Sequence, residues 1–362
     1  MRPVKVFLTD DSLVIRRVVG KVLEEKYGFI IAGTAANGQE ALEQIPRVRP
    51  DVVILDVEMP ILDGLAALRQ LMRVHPVPVV MLSAHTRAGS AATVEALALG
   101  AVDFVPKGMP GGLEPMVADL AAKIKVAVGA RLVHAGRGTT ARAASLRQGA
   151  RVPPAWVGTP KPAAERGPAE RPEIVVIGCS TGGPAALRVL VPALPGDLPA
   201  AVVIVQHMPR GFTASLAENL DQRSALEVKH AAEGDAVLPG RALVAPAGFE
   251  FSFRRKGAGV VAGVQPDDRP LPPGGFRPSV DRVMAAAAET YGPRTLGVLL
   301  TGMGRDGADG MGRIKAAQGQ TIAEDESTCV VYGMPRAAAE AGAADLVLPL
   351  PQIAPEIMRV LS

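Results

Sequence analysis

The sequence predicts an α/β protein built from two doubly wound parallel sheets. Short apolar runs alternate with helix-period segments over residues 4–128, and the same alternation returns after Glu173. Strands that alternate with helices in this way form parallel sheets with helices on both faces. Residues 129–172 separate the two regions, because they have no sustained hydrophobic period. We therefore predict an N-terminal domain at 1–128, a linker at 129–172 and a C-terminal domain at 173–362.

The first domain contains five repeats of a strand followed by a helix. The predicted strands are Val4–Leu8, Ile30–Ala32, Val52–Leu55, Val79–Leu82 and Val102–Val105. The helix-period segments that follow them span 12–26, 38–45, 63–73, 90–99 and 113–128. Five such repeats are typical of one doubly wound sheet.

The linker is rich in Ala, Gly, Pro and Thr and carries scattered basic residues. These are Arg131, Arg137, Arg142, Arg147, Arg151, Lys161, Arg166 and Arg171. This composition is typical of a flexible, solvated tether. Docking of an acidic partner is the alternative interpretation of its charge.

The second domain resumes the alternation of strands and helices and adds short strands in its middle. Apolar runs at Ile174–Ile177, Val202–Val205 and Leu296–Leu300 are each followed by a helix-period stretch. Between the second and third of these, residues 225–264 contain short strands separated by Gly and Pro turns. These short strands are Arg241–Ala245, Phe249–Phe253 and Val260–Val264. We predict that they form a β-hairpin insertion in an α/β domain.

Composition excludes several classes of function. The net charge is only +3 and aromatic residues make up 3% of the chain, which argues against nucleic-acid binding. Cys179 and Cys329 lie far apart without metal-ligand spacing, so neither a disulfide scaffold nor a structural zinc site is expected. The sequence has no signal peptide and no apolar run of about 20 residues. We predict a cytoplasmic protein that does not span the membrane.

Five polar residues follow strands of the first domain and predict one site. They are Asp10, Asp11, Asp56, Ser83 and Lys107. Ligands collect at the carboxyl ends of parallel strands, so these side chains should converge there. Three crowded carboxylates repel one another unless they share a cation, and an oxygen cluster of this kind suits Mg²⁺. Lys107 would complement an anion as a point charge, and a carboxylate beside Mg²⁺ can accept a phosphoryl group.

A serine in a glycine-rich turn predicts a second site. Ser180 follows an apolar strand in Gly178-Cys179-Ser180-Thr181-Gly182-Gly183 and precedes a helix. A serine needs a base to become nucleophilic, and the two histidines after the linker are His207 and His230. His207 ends a strand on the same edge as Ser180, whereas His230 follows a polar segment, so His207 is the better candidate. Asp306, in the turn after Leu296–Leu300, is the candidate to orient the imidazole.

The turn that contains Asp306 also supports a rival interpretation. It includes Gly302-x-Gly304-x-x-Gly307, with Glu324 about 20 residues further on, which matches a dinucleotide-binding fingerprint and would indicate an NAD(P)-dependent oxidoreductase. Against this, Asp306 would lie beside the pyrophosphate and repel it. A third possibility is a non-catalytic signalling regulator, whose second domain binds but catalyses no reaction. Cys179 is an alternative nucleophile, but its place at the end of a strand favours packing as a small buried residue.

Residues 1–125 resemble a response-regulator receiver domain. The matching segments are Leu8-Thr9-Asp10-Asp11-Ser12, Ile54-Leu55-Asp56-Val57-Glu58-Met59-Pro60, Met81-Leu82-Ser83-Ala84 and Phe104-Val105-Pro106-Lys107. The resemblance implies a flavodoxin-like fold in which Asp56 accepts the phosphoryl group from a partner histidine kinase. It also implies that Asp10, Asp11, Asp56 and the Glu58 backbone carbonyl bind Mg²⁺. Ser83, Phe104 and Lys107 would form the switch.

With this domain in front, the chain resembles the chemotaxis protein-glutamate methylesterase and glutaminase family. The matching segments are Gly178-Cys179-Ser180-Thr181-Gly182-Gly183, Gln206-His207-Met208-Pro209-x-Gly211-Phe212-Thr213, Arg277-Pro278-Ser279-Val280-Asp281 and Leu300-Thr301-Gly302-Met303-Gly304-x-Asp306-Gly307. The order Ser, His, Asp differs from that of α/β-hydrolases, where the acid precedes the histidine. The resemblance implies a Rossmann-like catalytic domain.

The resemblance implies an activity and its partners. The domain would demethylate glutamyl methyl esters of chemoreceptors, releasing methanol, and deamidate particular receptor glutamines. Ser180 would attack, His207 would transfer the proton and Asp306 would orient His207, with Thr181 and the Met303 backbone near the oxyanion. The esterase reaction would need no cofactor. The receiver domain would cover the active site until Asp56 is phosphorylated.

Overall fold

The protein is described by a computed structural model that covers residues 2–83, 87–108, 111–130, 170–267 and 275–362. Most of the predicted linker therefore lies outside the described residues. Among the described residues, none of the helices combines the length and the apolar character that crossing a bilayer requires.

The first sheet has five parallel strands in the order β2-β1-β3-β4-β5. The strands are β1 (Lys5–Thr9), β2 (Ile30–Ala35), β3 (Val52–Asp56), β4 (Val79–Ser83) and β5 (Asp103–Pro106). The helices are α1 (Leu13–Tyr27), α2 (Gly38–Val48), α3 (Gly64–Val74), α4 (Arg87–Ala98) and α5 (Leu113–Gly129). The predicted doubly wound sheet is confirmed, and this strand order is that of flavodoxin-like folds.

Polar side chains cap the first turns of two of these helices. Asn37 accepts a hydrogen bond from the Glu40 backbone N–H at 2.9 Å and caps α2. Asp63 accepts one from the Ala66 backbone N–H at 2.7 Å and caps α3. Each cap satisfies a backbone donor that has no partner inside the helix. Helix α2 begins three residues after the end of β2, whereas α3 begins eight residues after the end of β3.

The second sheet has seven parallel strands in the order β14-β13-β12-β6-β7-β9-β8. The strands of this sheet are β6 (Ile174–Cys179), β7 (Ala201–Gln206), β8 (Glu227–His230), β9 (Arg241–Val244), β12 (Thr295–Leu299), β13 (Gln320–Glu324) and β14 (Leu346–Leu348). A separate antiparallel hairpin consists of β10 (Phe249–Lys256) and β11 (Gly259–Pro266). The helices of this domain are α6 (Gly183–Leu190), α7 (Phe212–Asp221), α8 (Val280–Tyr291), α9 (Ala308–Ala316), α10 (Met334–Glu340) and α11 (Leu350–Leu361).

The predicted hairpin insertion is confirmed for β10 and β11, but the assignment of Arg241–Ala245 to it was wrong. This segment is β9, and it pairs in parallel with β7, with Val203 opposite Leu243. Strand β8 then pairs in parallel with β9 at the sheet edge. Three of the four β9 side chains are buried, so the strand completes the core of the main sheet.

The centre of the second sheet fixes where its loops emerge. Strand β6 lies between β12 and β7, with Gly178 opposite Leu299 on one side and Val205 on the other. All residues of these three strands are buried. Because the strands are parallel and in register, the turns that follow them leave the sheet at the same edge.

The two domains are in contact through the receiver-side helix α4 and strand β5. Helix α4 packs on α6 and α7 of the second domain. The rings of Phe104 in β5 and Phe212 in α7 lie 4.6 Å apart at an interplanar angle of 43°. Both residues are buried, with Phe104 3% exposed. The contact is therefore an apolar one that brings the end of the first sheet to the second domain.

Candidate active site

Ser180 lies in a tight turn between β6 and α6. Its backbone N–H donates to the Thr301 carbonyl at 3.0 Å, and its own carbonyl accepts from the Gly183 N–H at 2.8 Å. Gly182 has φ of 80°, and a Cβ there would lie 2.6 Å from Cβ of Val330. Only glycine fits this left-handed and crowded position. The turn therefore holds Ser180 at the sheet edge, where the residue is 7% exposed.

His207 follows β7 and is held beside Ser180 by the neighbouring strand. Its backbone N–H donates to the Cys179 carbonyl at 3.0 Å. The side-chain amide of Gln206 donates to the Ser180 carbonyl at 2.9 Å and to the His207 carbonyl at 2.8 Å. Gln206 is 3% exposed, so its amide joins the two segments inside the protein. The spacing between the serine turn and the histidine is set by these bonds.

Asp306 lies against the imidazole of His207. Its Oδ2 atom is 2.8 Å from Nε2 of His207 and also accepts from the Val280 N–H at 2.8 Å. Its Oδ1 atom accepts from the Ser279 hydroxyl at 2.8 Å and from the Asp281 N–H at 3.0 Å. Burial opposes ionisation, but the hydrogen bonds from His207 and from the backbone hold the pKa of Asp306 well below its usual range. The carboxylate therefore stays ionised.

A second carboxyl, that of Asp281, supports the turn that carries Asp306. Its Oδ1 atom accepts from the N–H groups of Gly307 at 2.8 Å and Gly310 at 2.7 Å. Burial raises the pKa of Asp281 to about 6. The hydrogen bond from the Gly310 N–H lowers this pKa, whereas the charge of the neighbouring Asp306 raises it further. Asp281 joins the start of α8 to the start of α9, and so fixes the turn between β12 and α9.

Ser180 and His207 line one cavity, and residues of both domains form its walls. The lining residues from the first domain are Leu97, Val102, Asp103 and Phe104. From the second domain, Thr181, Gly182, Pro184, Gln206 and Met208 complete it. The cavity measures about 20 Å³, which is room for about one water molecule. In this arrangement of the domains, little free space remains beside Ser180.

Asp103 of the receiver domain contacts the turn directly. The Thr181 hydroxyl donates to its Oδ2 atom at 2.5 Å. On its other side Asp103 pairs with Nζ of Lys123 at 3.3 Å, and Lys123 also pairs with Asp119 at 3.2 Å. The Thr181 hydroxyl, which was predicted to lie near the oxyanion, is therefore hydrogen-bonded to a carboxylate of the first domain.

Met303, the other residue predicted near the oxyanion, lies in the turn after β12. Its side chain is 55% exposed, and the residue is not among those that line the cavity. The neighbouring Gly302 approaches Ser180 closely, since a Cβ at Gly302 would lie 2.8 Å from Cβ of Ser180. The turn thus reaches Ser180 through backbone, and the role of the Met303 backbone stays a prediction.

The dinucleotide-binding interpretation does not fit this turn. The carboxylate of Asp306 is hydrogen-bonded to His207, as described above. Glu324, which would have to bind a ribose, is fully buried; its carboxylate accepts from the Thr301 N–H at 2.8 Å and from the Thr328 hydroxyl at 2.9 Å. Burial raises the pKa of Glu324. The glutamate therefore supports the chain behind the serine turn and is not accessible to a ligand.

The rival nucleophile and the rival base are placed elsewhere. Cys179 is fully buried, its thiol donates to Oε1 of Gln206 at 3.1 Å, and burial raises the pKa of the thiol. It is therefore a packed, protonated thiol. His230 is half-buried and its Nε2 atom lies 3.0 Å from the Thr213 hydroxyl. It does not line the cavity that contains Ser180.

The acidic pocket of the first domain forms at the ends of β1, β3 and β5. One carboxylate oxygen from each of Asp10, Asp11 and Asp56 lies within 4.8 Å of the others. Lys107 places Nζ 2.8 Å from Asp10 and 2.7 Å from Asp56. Burial raises the pKa of Asp56 to about 6; Lys107 opposes this shift, and the Asp10 charge adds to it. The pocket therefore concentrates negative charge that one lysine only partly neutralises.

The predicted switch residues come from the neighbouring strands β4 and β5 and from the end of β5. Ser83 is fully buried at the end of β4 and accepts a hydrogen bond from the Thr93 hydroxyl at 2.6 Å. Phe104 lies in β5, three residues before Lys107, and contacts Phe212 of the second domain. Glu58, two residues after Asp56, is exposed. The role of its carbonyl as a metal ligand stays a prediction.

Sequence reasoning missed several residues that hold the site together. Gln206, Ser279 and Asp281 stand in the motifs that carry the resemblance, but no role was predicted for them. Phe276, whose ring is stacked on that of His207, and Asp103 were not singled out at all. A polar Gln at the end of a wholly apolar strand was the one available signal. The other contacts depend on segments that only the folded chain brings together.

Known proteins are similar to this chain over its whole length. Residues 175–357 match the family model described as CheB methylesterase, and residues 6–114 match the response regulator receiver domain. The protein-glutamate methylesterase/protein-glutamine glutaminase of Moorella thermoacetica is 43% identical, and the alignment covers 99% of each chain. The protein-glutamate methylesterase/protein-glutamine glutaminase 1 of Carboxydothermus hydrogenoformans is 47% identical over 98% of each.

A solved structure is similar to the second domain. The crystal structure of the Thermotoga maritima CheB methylesterase catalytic domain has 44% sequence identity and a TM-score of 0.50. The match covers 52% of this chain and 98% of that one. The likeness therefore spans the domain that contains Ser180, His207 and Asp306.

Proposed function

The chain belongs to the family of protein-glutamate methylesterases/protein-glutamine glutaminases that carry a receiver domain, and we propose that it is such an enzyme, with Ser180 as its nucleophile. Its substrates are γ-glutamyl methyl esters, which it hydrolyses to glutamate and methanol, and glutamine side chains, which it deamidates. The observation that carries the assignment of the site is the convergence of Ser180, His207 and Asp306 from three adjacent strand ends.

The proposed reaction begins with proton transfer from Ser180 to His207. As Oγ of Ser180 attacks the ester carbonyl carbon, the imidazole takes the hydroxyl proton and becomes an imidazolium. The ionised Asp306 stabilises that positive charge through Nε2. The imidazolium then gives its proton to the departing methoxide, and methanol leaves an acyl-enzyme. His207 next deprotonates a water molecule, which attacks the acyl-enzyme carbonyl carbon. The imidazolium then gives this proton to the departing Oγ of Ser180, which restores the hydroxyl and the neutral imidazole.

Backbone and hydroxyl donors stabilise the negative charge on the carbonyl oxygen in this scheme. The Thr181 hydroxyl and the Met303 backbone N–H are our candidates. A donor of this kind typically lowers the barrier by about 3 kcal/mol. The Thr181 hydroxyl donates to Asp103 in the present arrangement, so it becomes available only when the receiver domain moves away.

Regulation follows from the same contact. The small size of the cavity and the Asp103–Thr181 bond support a resting state in which the receiver domain excludes substrate. Phosphorylation converts the Asp56 carboxylate into an acyl phosphate, which carries about two negative charges beside Lys107 instead of one. We propose that this change releases the contacts of Asp103 and Phe104 and opens the site.

Mg²⁺ is the proposed cofactor of the receiver domain. The clustered oxygens of Asp10, Asp11 and Asp56 suit a hard cation. Among the described residues, Lys107 is the one cation that pairs with the buried Oδ2 atoms of Asp10 and Asp56. Asp10, Asp11, Asp56 and the Glu58 carbonyl would hold the ion. When bound, it neutralises charge on the phosphoryl group during transfer. The esterase reaction is proposed to need no cofactor.

The proposed partners follow from the two activities. A histidine kinase supplies the phosphoryl group, and methyl-accepting chemoreceptors supply the substrate side chains. Both partners act at the cytoplasmic side of the membrane, so we propose a cytoplasmic enzyme. No role in nucleic-acid binding is proposed.

The test is methanol release from membranes that contain methylated receptors. We expect Ser180→Ala to abolish release while Ser327→Ala, at an exposed serine of the same domain, retains it. Matched melting temperatures show that both variants are folded. Full activity of Ser180→Ala would overturn the serine mechanism. Ammonia release from receptor glutamines, measured in the same variants, tests whether both reactions use one nucleophile.

A further inference from the structure

Phe276 covers the face of the imidazole of His207. The two ring centroids are 4.1 Å apart and the ring planes differ by 7°, so the rings are stacked face to face. Phe276 is 43% exposed, whereas the His207 side chain is 1% exposed. The phenyl ring therefore forms an outer wall that separates the imidazole from solvent.

The stacking restrains a motion that the hydrogen bonds of His207 leave open. The bond from Nε2 to Asp306 lies in the plane of the imidazole and fixes one edge of the ring. One bond at one edge still permits the ring to tilt about the axis of that bond. A second ring stacked on its face opposes this tilt, because tilting breaks the ring contact. Phe276 and Asp306 together define the position of Nδ1.

One short segment supplies both restraints. Ser279, Val280 and Asp281 bind the carboxylate of Asp306, and Phe276 lies three residues before Ser279. The segment from 276 to 281 thus contacts the face of the His207 ring and donates hydrogen bonds to both carboxylate oxygens of Asp306. A shift of this segment would move both groups together.

The reaction changes the charge of the covered ring. The imidazole is neutral before proton transfer and positive in the transition state. The face of an aromatic ring attracts a cation, and in partly buried geometry this attraction corresponds to roughly 3- to 30-fold in an equilibrium constant. The attraction is gained mainly when the charge forms, so it should raise kcat more than it lowers KM.

We propose that Phe276 is a positioning residue of the hydrolytic reaction, which holds the His207 ring in plane and stabilises its protonated form. This inference rests on the proposed function, because it assigns His207 the role of the base. It extends the catalytic machinery beyond the serine, histidine and aspartate to an aromatic residue that does not contact the substrate carbonyl.

The test compares variants of the full chain in methanol release, with Mg²⁺ and a small-molecule phosphodonor present. We expect Phe276→Leu and Phe276→Met, which keep an apolar side chain but lose the aromatic face, to lower kcat by roughly 3- to 30-fold with KM changed less than about 2-fold. Phe276→Tyr keeps the aromatic face and should restore kcat. Phe253→Leu, which removes an aromatic ring from the hairpin, is the matched control and should match the unaltered chain.

Two outcomes would overturn the inference. One is an unchanged kcat in both Phe276→Leu and Phe276→Met. The other is a loss of activity in these variants that reflects a higher KM, which would assign Phe276 to substrate contact, or one that Phe276→Tyr does not restore, which would assign it to packing. Ser180→Ala is assayed in parallel. If Ser180→Ala retains activity, the proposed function itself is overturned. If Ser180→Ala loses activity but the Phe276 variants have an unchanged kcat, only this inference is overturned.

Discussion

The Nε2 atom of His207 lies 2.8 Å from the Oδ2 atom of Asp306. An ionised carboxylate only accepts hydrogen bonds, so Nε2 carries the proton of the neutral imidazole. Nδ1 is then the basic nitrogen, and it is buried with no hydrogen-bond partner among the residues that the structure describes. In the proposed mechanism, this nitrogen takes the Ser180 proton.

Asp306→Asn tests whether the carboxylate controls the proton on His207. The amide can donate to Nε2, which favours the tautomer with its proton on Nδ1 and removes the base. We expect kcat for methanol release to fall by roughly 10³- to 10⁴-fold with little change in KM. The control is Asp309→Asn, at an exposed carboxylate that pairs with Arg305. A loss of less than tenfold for Asp306→Asn would contradict the role of Asp306.

Asp281→Asn tests the electrostatic coupling behind Asp306. The pKa of Asp281 is raised from 3.8 to about 6, so the folded protein holds a proton that the unfolded chain releases between these values. Because the folded protein binds more protons than the unfolded chain, its stability falls as pH rises through this range. The asparagine resembles the protonated form and accepts the same backbone N–H bonds. Its effect should therefore depend on pH.

We expect Asp281→Asn to match the unaltered chain near pH 4 and to be more stable by about 1–2 kcal/mol at pH 8, after a discount for partial solvent access. The measurement is urea unfolding of both proteins at several pH values. A stability difference that does not change with pH would show that Asp281 titrates as in the unfolded chain.

Asp103→Ala tests the contact between the domains. The change removes the acceptor of the Thr181 hydroxyl, a bond that contributes roughly 1 kcal/mol to the closed arrangement. We expect the activity without phosphodonor to rise about fivefold. Asp119→Ala is the matched control, because Asp119 also pairs with Lys123 and does not contact Thr181. Equal basal activity in the two variants would argue against a specific role for Asp103.

Much of the fold could be predicted from the sequence, because buried parallel strands are continuous apolar runs. Ile174–Ile177 and Val202–Val205 both lie within observed strands. The pairing of β9 with β7 could not be predicted, since a four-residue strand carries no sign of its neighbour. The placement of the serine, the histidine and the aspartate at one edge of the sheet was predictable because each follows a central strand.

The residues that support the site were not predictable in the same way. Phe276 reaches His207 across 69 positions of the sequence, and Asp103 reaches Thr181 across 78. Their side chains are ordinary for a loop and for the start of a strand. Their roles depend on contacts between segments, and periodicity or spacing along one segment contains no information about such contacts.

Asp56→Asn tests whether the receiver domain is the switch. The amide cannot accept a phosphoryl group, and it weakens the oxygen cluster proposed to hold Mg²⁺. In the unaltered chain, a phosphodonor with Mg²⁺ should raise methanol release, and removal of Mg²⁺ with a chelator should prevent the rise. Asp56→Asn should show only basal activity under both conditions, while Asp51→Asn, at a carboxylate that pairs with Arg2, should respond normally. If Asp56→Asn and the unaltered chain respond equally, activation does not proceed through this carboxylate. The contact between Asp103 and Thr181 would then need a different trigger.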